Sequence, residues 1–161
     1  MKVIALVIGI DHYSHPEFFN VLNCAVGDAK AVAEVLSHLK IEVQESYDEE
    51  DDVVRERLDE FTNKIMDDRP DVAIFYFAGH GERPNLNDSL VLKNAQRSAK
   101  GETVLLGYCL VVNDIMQRMN VAGDQMNILI LDACRNETRG AVAKQETSFK
   151  VPHQTFIAYS T

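Results

Sequence analysis

Two short segments of the sequence carry residue types that could perform nucleophilic chemistry. The segment FAGHG ends the apolar run Val72–Phe77 and contains His80, and the segment LDACR ends the run Met126–Leu131 and contains Cys134. In an open parallel sheet, side chains just past the carboxyl ends of the strands gather at one edge, where such folds bind ligands. Because neighbouring strands lie about 4.8 Å apart, we expect His80 and Cys134 to be close enough to act as base and nucleophile.

These residue types suit acyl transfer. A thiolate is a strong nucleophile, but an ordinary cysteine is mostly protonated at pH 7, and a nearby histidine can take that proton and later pass it to a leaving amine. Gly81 would let the backbone approach a substrate carbonyl, so that its N–H and that of Cys134 could stabilise an oxyanion. The alternative is that Gly79 and Gly81 only turn the chain and that Cys134 is a small core residue. The occurrence of both segments at strand ends favours the chemistry of a cysteine protease.

Alternating strand and helix patterns surround the two segments. The predicted strands are Val3–Ile8, Ile41–Tyr47, Val72–Ala78, Met126–Leu131 and Thr155–Tyr159, and the predicted helices are Asp28–Lys40, Asp51–Asp68 and Val111–Met119. Leu90–Leu92 and Thr103–Leu106 are predicted to pair as a small hairpin. This order favours an α/β fold, with a mostly parallel sheet and helices on both faces.

The bulk properties narrow the class of protein. The 161 residues fit one domain, and a net charge of -9 without a basic face argues against nucleic acid as a partner. The longest apolar runs, such as Val3–Ile10, are too short for a membrane helix, and no signal-peptide cleavage site follows that run. Three cysteines without a CxxC pair favour free thiols in a reducing cytosol over disulfides or zinc. The expected location is therefore cytoplasmic, with no membrane partner.

The sequence resembles the caspase-like cysteine peptidases, and among them the paracaspases and metacaspases more than the caspases proper. The resemblance covers essentially the whole chain: the opening Val3–Ile10 with Tyr13, the helix entry Leu22–Ala29, and the blocks Tyr76–Gly81 and Leu129–Arg135. It implies a three-layer caspase-like fold that lacks its C-terminal strand or strands. Residues 1–161 would then be a catalytic domain with a p20-like region and the start of a p10-like region, either a fragment or a cleaved product.

The resemblance also implies a role for individual residues. His80 would be the base and Cys134 the nucleophile, with the N–H groups of Gly81 and Cys134 as the oxyanion hole. Asp28 and Asp132 match the acidic positions that bind arginine or lysine at P1 (the substrate residue before the cleaved bond), since a guanidinium pairs bidentately with a carboxylate. No cofactor and no metal are expected.

Several of these residues have plainer alternatives. Asp28 could be a helix N-cap, and Asp132 could be a strand-end residue bonded to backbone. The acidic run Asp48–Asp52 could be a calcium site, but it lacks the spacing of an EF-hand, and acidic residues are favoured at a helix start. Cys24 and Cys109 are expected to be packing residues.

Two functions remain open from the sequence. The first is an endopeptidase that cleaves after arginine or lysine through a thioester acyl-enzyme, with self-cleavage in the loop Arg135–His153, near Arg139, Lys144 and Lys150. The second is a catalytically silent signalling or scaffold module, because the sequence stops directly after the strand Thr155–Tyr159 and an isolated chain could be inactive. The predicted partners are a peptide or protein substrate with a basic P1 residue and a missing C-terminal, p10-like segment, with a homodimer as an open alternative.

Overall fold

A seven-stranded sheet between helices organises the protein, as shown by a computed structural model that describes residues 1–84, 87–98, 104–136 and 151–160. The strands are β1 Val3–Gly9, β2 Glu42–Tyr47, β3 Val72–Glu82, β4 Ser89–Val91, β5 Cys109–Val111, β6 Met126–Asn136 and β7 Thr155–Tyr159. The helices are α1 Ala25–His38, α2 Asp51–Asp68 and α3 Val112–Met119.

Five of the strands form a parallel sheet in the order β2-β1-β3-β6-β7. β3 is the central strand, paired with β1 on one edge and with β6 along its whole length on the other. Its last two residues also pair with β4, which with β5 forms an antiparallel extension. The predicted α/β class with a mostly parallel sheet is therefore confirmed.

The central strands are apolar on both faces because helices cover both. Leu6 and Ile8 lie in one buried cluster with the apolar residues of α2 and α3, whereas Val7 lies in a second cluster with α1. This alternation is the period of two that a β-strand imposes on its side chains. A strand buried on both sides reads as a continuous apolar run, and this is why β1 is recognisable from the sequence.

Helix α1 lies close to the sheet because its buried residues are all small. Its buried side chains are Ala25, Ala29 and Ala33, and a Cβ added to Gly9 of β1 would lie 2.7 Å from the Cβ of Ala29 and 3.0 Å from the carbonyl oxygen of Ala25. Gly9 therefore allows the approach that fixes α1 above the sheet. Across the described ranges, no helix combines the length and the apolar character needed to cross a membrane.

The structure corrects the predicted bounds around the two chemical segments. β3 continues to Glu82 and β6 to Asn136, so His80 and Cys134 lie within paired strands and not beyond their ends. Both strands extend to these residues because every residue of β3 has a register partner on β6, in eleven consecutive pairs.

The predicted hairpin is also wrong in its second strand. β4 pairs with β5, with Leu90 opposite Leu110, and residues Leu106–Tyr108 form a 3-10 turn. Val104 forms only an isolated bridge, with Arg97, and residue 103 lies outside the described residues. The turn brings the more buried segment Cys109–Val111 into the ladder.

We expect Gly9→Ala to destabilise the fold by about 1–3 kcal/mol, because the added methyl group overpacks the contact between β1 and α1. Urea unfolding of the wild type and the variant would measure this. Gly27→Ala is the matched control: Gly27 lies in α1 with open space around it, so alanine there should stabilise the helix by about 0.5–1 kcal/mol. Equal stabilities of the Gly9→Ala variant and the wild type would contradict the close approach.

Candidate active site

The backbone of His80 lies directly opposite that of Cys134. The two residues are register partners in the parallel pair β3–β6, and Ala78 is opposite Asp132 two residues earlier. Neighbouring strands are about 4.8 Å apart. The predicted base and nucleophile are therefore on adjacent strands, at the same level of the sheet.

The His80 imidazole is held by a main-chain carbonyl. Its Nε2 lies 2.7 Å from the carbonyl oxygen of Asn20, in the loop between β1 and α1. Because a carbonyl oxygen only accepts hydrogen bonds, Nε2 must carry the proton and donate it. In a neutral imidazole, Nδ1 is then the unprotonated nitrogen, with a lone pair that can accept a proton.

Tyr13 holds the backbone of the same histidine. The His80 N–H donates to the Tyr13 hydroxyl over 2.8 Å, and the two rings are packed with centroids 4.8 Å apart. A Cβ on Gly79 would lie 2.9 Å from the Tyr13 Oη and 2.9 Å from the Cζ of Phe77. Glycine before His80 is therefore required for the tyrosine to reach the strand.

Two aspartates anchor the loop that carries Tyr13 and Asn20. The Asp11 carboxylate accepts the N–H of Ala25, the first residue of α1, over 2.9 Å. The Asp48 carboxylate, from the turn after β2, accepts the N–H groups of Asp11 and His12 over 2.8 and 2.9 Å. Both ends of the loop are thus tied to regular elements, which fixes the position of the Asn20 carbonyl.

A buried ion pair holds an aromatic ring that packs against the imidazole. Glu82, at the end of β3, is only 5 % exposed and pairs with Arg97. The Arg97 guanidinium lies over the ring of Phe19, 4.9 Å from its centroid, and Phe19 in turn packs against the His80 ring with centroids 5.9 Å apart. Burial raises the pKa of Glu82, and the positive charge of Arg97 opposes that shift.

The negative charges of both predicted acidic residues act on Tyr76. Asp132 is half-buried on β6, and Asp28 is exposed in the first turn of α1. Burial raises the pKa of the Tyr76 hydroxyl to about 12, and the negative charges of Asp132 and Asp28 add to the shift. Both carboxylates are therefore close enough to one hydroxyl to influence its ionisation.

The capping alternative for Asp28 is wrong. Helix α1 begins one turn earlier than predicted, at Ala25, with Cys24 as the N-cap residue. The Asp28 N–H donates to the Cys24 carbonyl, 2.7 Å away, as an ordinary helical residue does. The Asp28 carboxylate is thus free of a capping role.

The two other cysteines and the acidic run Asp48–Asp52 lie outside the candidate dyad. Cys109 is buried, and burial raises the pKa of its thiol to about 12, so it stays protonated at neutral pH. Cys24 is an exposed free thiol at the N-cap position of α1, so the prediction that it is a packing residue is wrong. In the run Asp48–Asp52, Glu50 is the N-cap of α2 and Asp51 lies in its first turn, the placement that the helix dipole favours. Arg139, Lys144 and Lys150, the predicted self-cleavage positions, lie outside the described residues.

Sequence reasoning missed three groups that organise the site. The Asn20 carbonyl has no side-chain signature, so no pattern could have revealed it. Tyr13 belongs to the opening segment that carried the family resemblance, but its bond to His80 depends on the loop conformation. Tyr76 belongs to the block Tyr76–Gly81 that carried the resemblance, but its place beside β6, one register step from Asp132, depends on the pairing of β3 with β6.

A family model described as Peptidase_C14, caspase domain, matches residues 2–161. Among curated proteins, the chain is 28% identical over 134 residues to the human mucosa-associated lymphoid tissue lymphoma translocation protein 1. The match covers 83% of this chain and 15% of that protein.

Solved structures from Drosophila and from Geobacter sulfurreducens have a similar fold. The Drosophila initiator caspase Dronc matches with a TM-score of 0.67 at 11% identity, over 98% of this chain and 54% of that one. Protein GSU0716 from Geobacter sulfurreducens matches with a TM-score of 0.63 at 15% identity, over 86% of this chain and 52% of that one. The chain thus spans about half the length of these solved relatives and a smaller share of the human protein.

We expect the neutral His80 imidazole to be protonated on Nε2, because the Asn20 carbonyl can only accept. The ¹⁵N chemical shifts of the two ring nitrogens, measured where the ring is neutral, distinguish the two tautomers. A ring protonated on Nδ1 would contradict the geometry described.

We expect Tyr13→Phe to lower the free energy of unfolding by about 1–3 kcal/mol, because it removes the acceptor of the His80 backbone N–H.

Proposed function

The chain belongs to the caspase-domain peptidase family, and from this premise we propose that it is a cysteine endopeptidase that cleaves after arginine or lysine with a Cys134–His80 dyad. Family membership supports the coarser statement, a peptidase-type hydrolase acting on protein substrates. The Cys134–His80 dyad is supported mainly by one observation: in the register of the adjacent parallel strands β3 and β6, His80 is opposite Cys134.

The proposed acylation step begins with proton transfer from the Cys134 thiol to Nδ1 of His80. The thiolate then attacks the scissile carbonyl carbon, and the carbonyl oxygen becomes an oxyanion. We propose that the N–H groups of Gly81 and Cys134 stabilise this charge. The hydrogen bond to the Asn20 carbonyl supports the role of His80, because it keeps the ring oriented and stabilises the imidazolium formed.

The proposed reaction is completed by three further proton transfers at the same ring. Collapse of the tetrahedral species breaks the C–N bond, and the leaving amine takes the proton from Nδ1, which leaves a thioester on Cys134. His80 then removes a proton from water as the water attacks the thioester. Collapse of the second tetrahedral species releases the acid and returns the proton to the thiolate, so the dyad is regenerated and no cofactor is consumed.

We propose that Asp28 and Asp132 bind the basic P1 side chain. Two observations support this: Asp132 lies two residues after Ile130, the register partner of Tyr76, on the sheet face that α1 covers, and Asp28 lies in the first turn of α1. A guanidinium or an ammonium group entering between two carboxylates would find paired negative charge partly shielded from water, where ion pairs are stronger than at a free surface. We also propose residues 1–161 as a catalytic domain with a p20-like region and the start of a p10-like region.

We expect Cys134→Ala and His80→Ala each to lower turnover of a fluorogenic peptide with arginine at P1 by about a thousandfold or more, because the dyad acts as a unit. His38→Ala is the matched histidine control, since this ring lies at the exposed end of α1, where its Nδ1 is hydrogen-bonded to the Glu34 carbonyl. Equal turnover by the wild type and Cys134→Ala would instead support the silent scaffold.

We expect Asp132→Asn to lower kcat/KM for the arginine peptide by about ten- to a hundredfold, mostly through KM, because a charged hydrogen bond is worth about 1.5–3 kcal/mol. Asp114→Asn, at an exposed position on α3, is the charge-matched control and should leave both constants unchanged. A wild-type preference for aspartate at P1 would contradict the proposed pocket while leaving the peptidase intact.

A further inference from the structure

A short segment that follows β4, residues 93–97, contacts the loop between β1 and α1 at two points. Neither the proposed dyad nor the proposed P1 pocket uses this segment. Its middle residue, Ala95, is fully buried in the larger core cluster, and the Ala95 N–H donates to the carbonyl oxygen of Leu92 over 3.1 Å. Its last residue, Arg97, forms a backbone bridge with Val104. The segment is therefore anchored to the core and forms a fixed support for the loop.

The first contact joins the start of the loop to helix α2 through Asn94. The Ser14 Oγ donates to Oδ1 of Asn94 over 2.6 Å, and the Ser14 N–H donates to the carbonyl oxygen of Lys93 over 2.9 Å. The Nδ2 of Asn94 donates to the Glu50 carboxylate over 2.7 Å. The backbone N–H of Asn94 donates to the Asp51 carboxylate over 2.9 Å. One asparagine thus connects the loop with the N-terminus of α2.

This contact lies directly beside the tyrosine that holds the histidine backbone. Ser14 follows Tyr13, whose hydroxyl accepts the backbone N–H of His80 and whose ring packs against the imidazole. The two hydrogen bonds of Ser14 fix the main chain at this point. A displacement of Ser14 would therefore move the Tyr13 ring and, with it, the surroundings of the imidazole.

The second contact holds the other end of the loop through Arg97. Its guanidinium lies over the ring of Phe19, 4.9 Å from the ring centroid. Phe19 directly precedes Asn20, whose carbonyl oxygen accepts the hydrogen bond from Nε2 of His80. Arg97 is itself paired with the buried Glu82, two residues after His80 on β3. The arginine therefore ties the end of the loop to the strand that carries the histidine.

We propose that Asn94 and Arg97 are positioning residues, which hold the two ends of the loop and thereby fix the orientation of the His80 imidazole. This inference rests on the proposed role of His80 as the base, but its test does not need turnover. Loss of either contact lets the Asn20 carbonyl move away from Nε2, and a neutral ring without this acceptor populates both tautomers. In the second tautomer Nδ1 carries the proton and cannot take one from a thiol.

The test of Asn94 measures the tautomer of the neutral His80 ring by ¹⁵N chemical shifts in the full chain carrying Cys134→Ala. We expect only the Nε2-protonated form in this parent, and an additional Nδ1-protonated form after Asn94→Ala or Ser14→Ala. Ser14→Ala removes an exposed hydroxyl and leaves the contacts of Asn94 with α2 in place. It therefore separates the support of the loop from the stability of the helix. Asn63→Ala, at an exposed position of α2, is the matched control and should leave a single form.

The test of Arg97 uses the same measurement. Arg97→Met is combined with Glu82→Gln, because removal of the arginine alone would leave a buried carboxylate without its partner. We expect this double variant to show both tautomers. Arg97→Lys should keep the single form, since a lysine retains a positive charge for Glu82 and for the face of the Phe19 ring. Lys64→Met, which removes an ion pair between α2 and β2, is the matched control and should also keep it.

Kinetics distinguish positioning from a loss of substrate binding. In the chain with Cys134 intact, Ser14→Ala and Asn94→Ala should each lower kcat for the arginine peptide by about three- to tenfold and change KM by less than about twofold. The reason is that the orientation of the base affects the chemical step and not the binding of the substrate. A rise in KM with an unchanged kcat would contradict the proposed role.

The outcomes separate this inference from the proposed function. A single Nε2-protonated form in every Ser14, Asn94 and Arg97 variant would overturn the inference, even if the enzyme cleaves peptides. A mixture of forms already in the parent would also overturn it, because the loop would then not hold the ring. A mixture after Asn94→Ala but not after Ser14→Ala would overturn the loop contact and assign the effect to α2. A mixture that appears in the variants but not in the parent or the controls would support the inference, even if the unmutated chain had no turnover.

Discussion

The pairing of β3 with β6 is the constraint on which the rest of the site depends. Eleven consecutive register pairs fix one strand against the other, so the levels of Ala78 with Asp132 and of His80 with Cys134 are set together. A shift of one residue would move every side chain of the strand to the opposite face. The apolar cores on both faces oppose such a shift, because Leu129 and Leu131 would leave the larger cluster. Stability and the alignment of the candidate dyad therefore have the same origin.

The loop between β1 and α1 is the second component of the site. It contributes the Tyr13 hydroxyl and the Asn20 carbonyl. It is held by the Asp11 carboxylate, which accepts the N–H of Ala25 at the start of α1, and by the Asp48 carboxylate, which follows β2. The close contact of α1 with Gly9 sets where the loop must end. His80 is thus positioned by its own strand, by a loop and, through Phe19, by the ion pair of Arg97 with Glu82.

The fold was predictable to the extent that burial leaves a pattern in the sequence. β1 is apolar throughout because both of its faces are covered. The apolar spacing predicts α2 at Asp51–Asp68, and the structure confirms these bounds. The caspase-like resemblance is confirmed, while the roles of His80, Cys134, Asp28 and Asp132 stay predictions. The partner of β4 and the extension of β3 to Glu82 were not predictable, since they depend on ladder partners distant in sequence. A main-chain acceptor such as the Asn20 carbonyl is equally invisible in a sequence.

That acceptor has a consequence for how the site can vary. Every residue at position 20, proline included, presents the same main-chain carbonyl, so no substitution there removes the acceptor by chemistry alone. The contacts of His80 depend instead on the path of the chain from residue 13 to residue 20, which sets where the Tyr13 hydroxyl and the Asn20 carbonyl lie. A ligand, a neighbouring domain or a distant mutation that bent this path would redistribute the ring's proton between its two nitrogens, and the basicity facing residue 134 would change while every side chain in β3 and β6 remained the same.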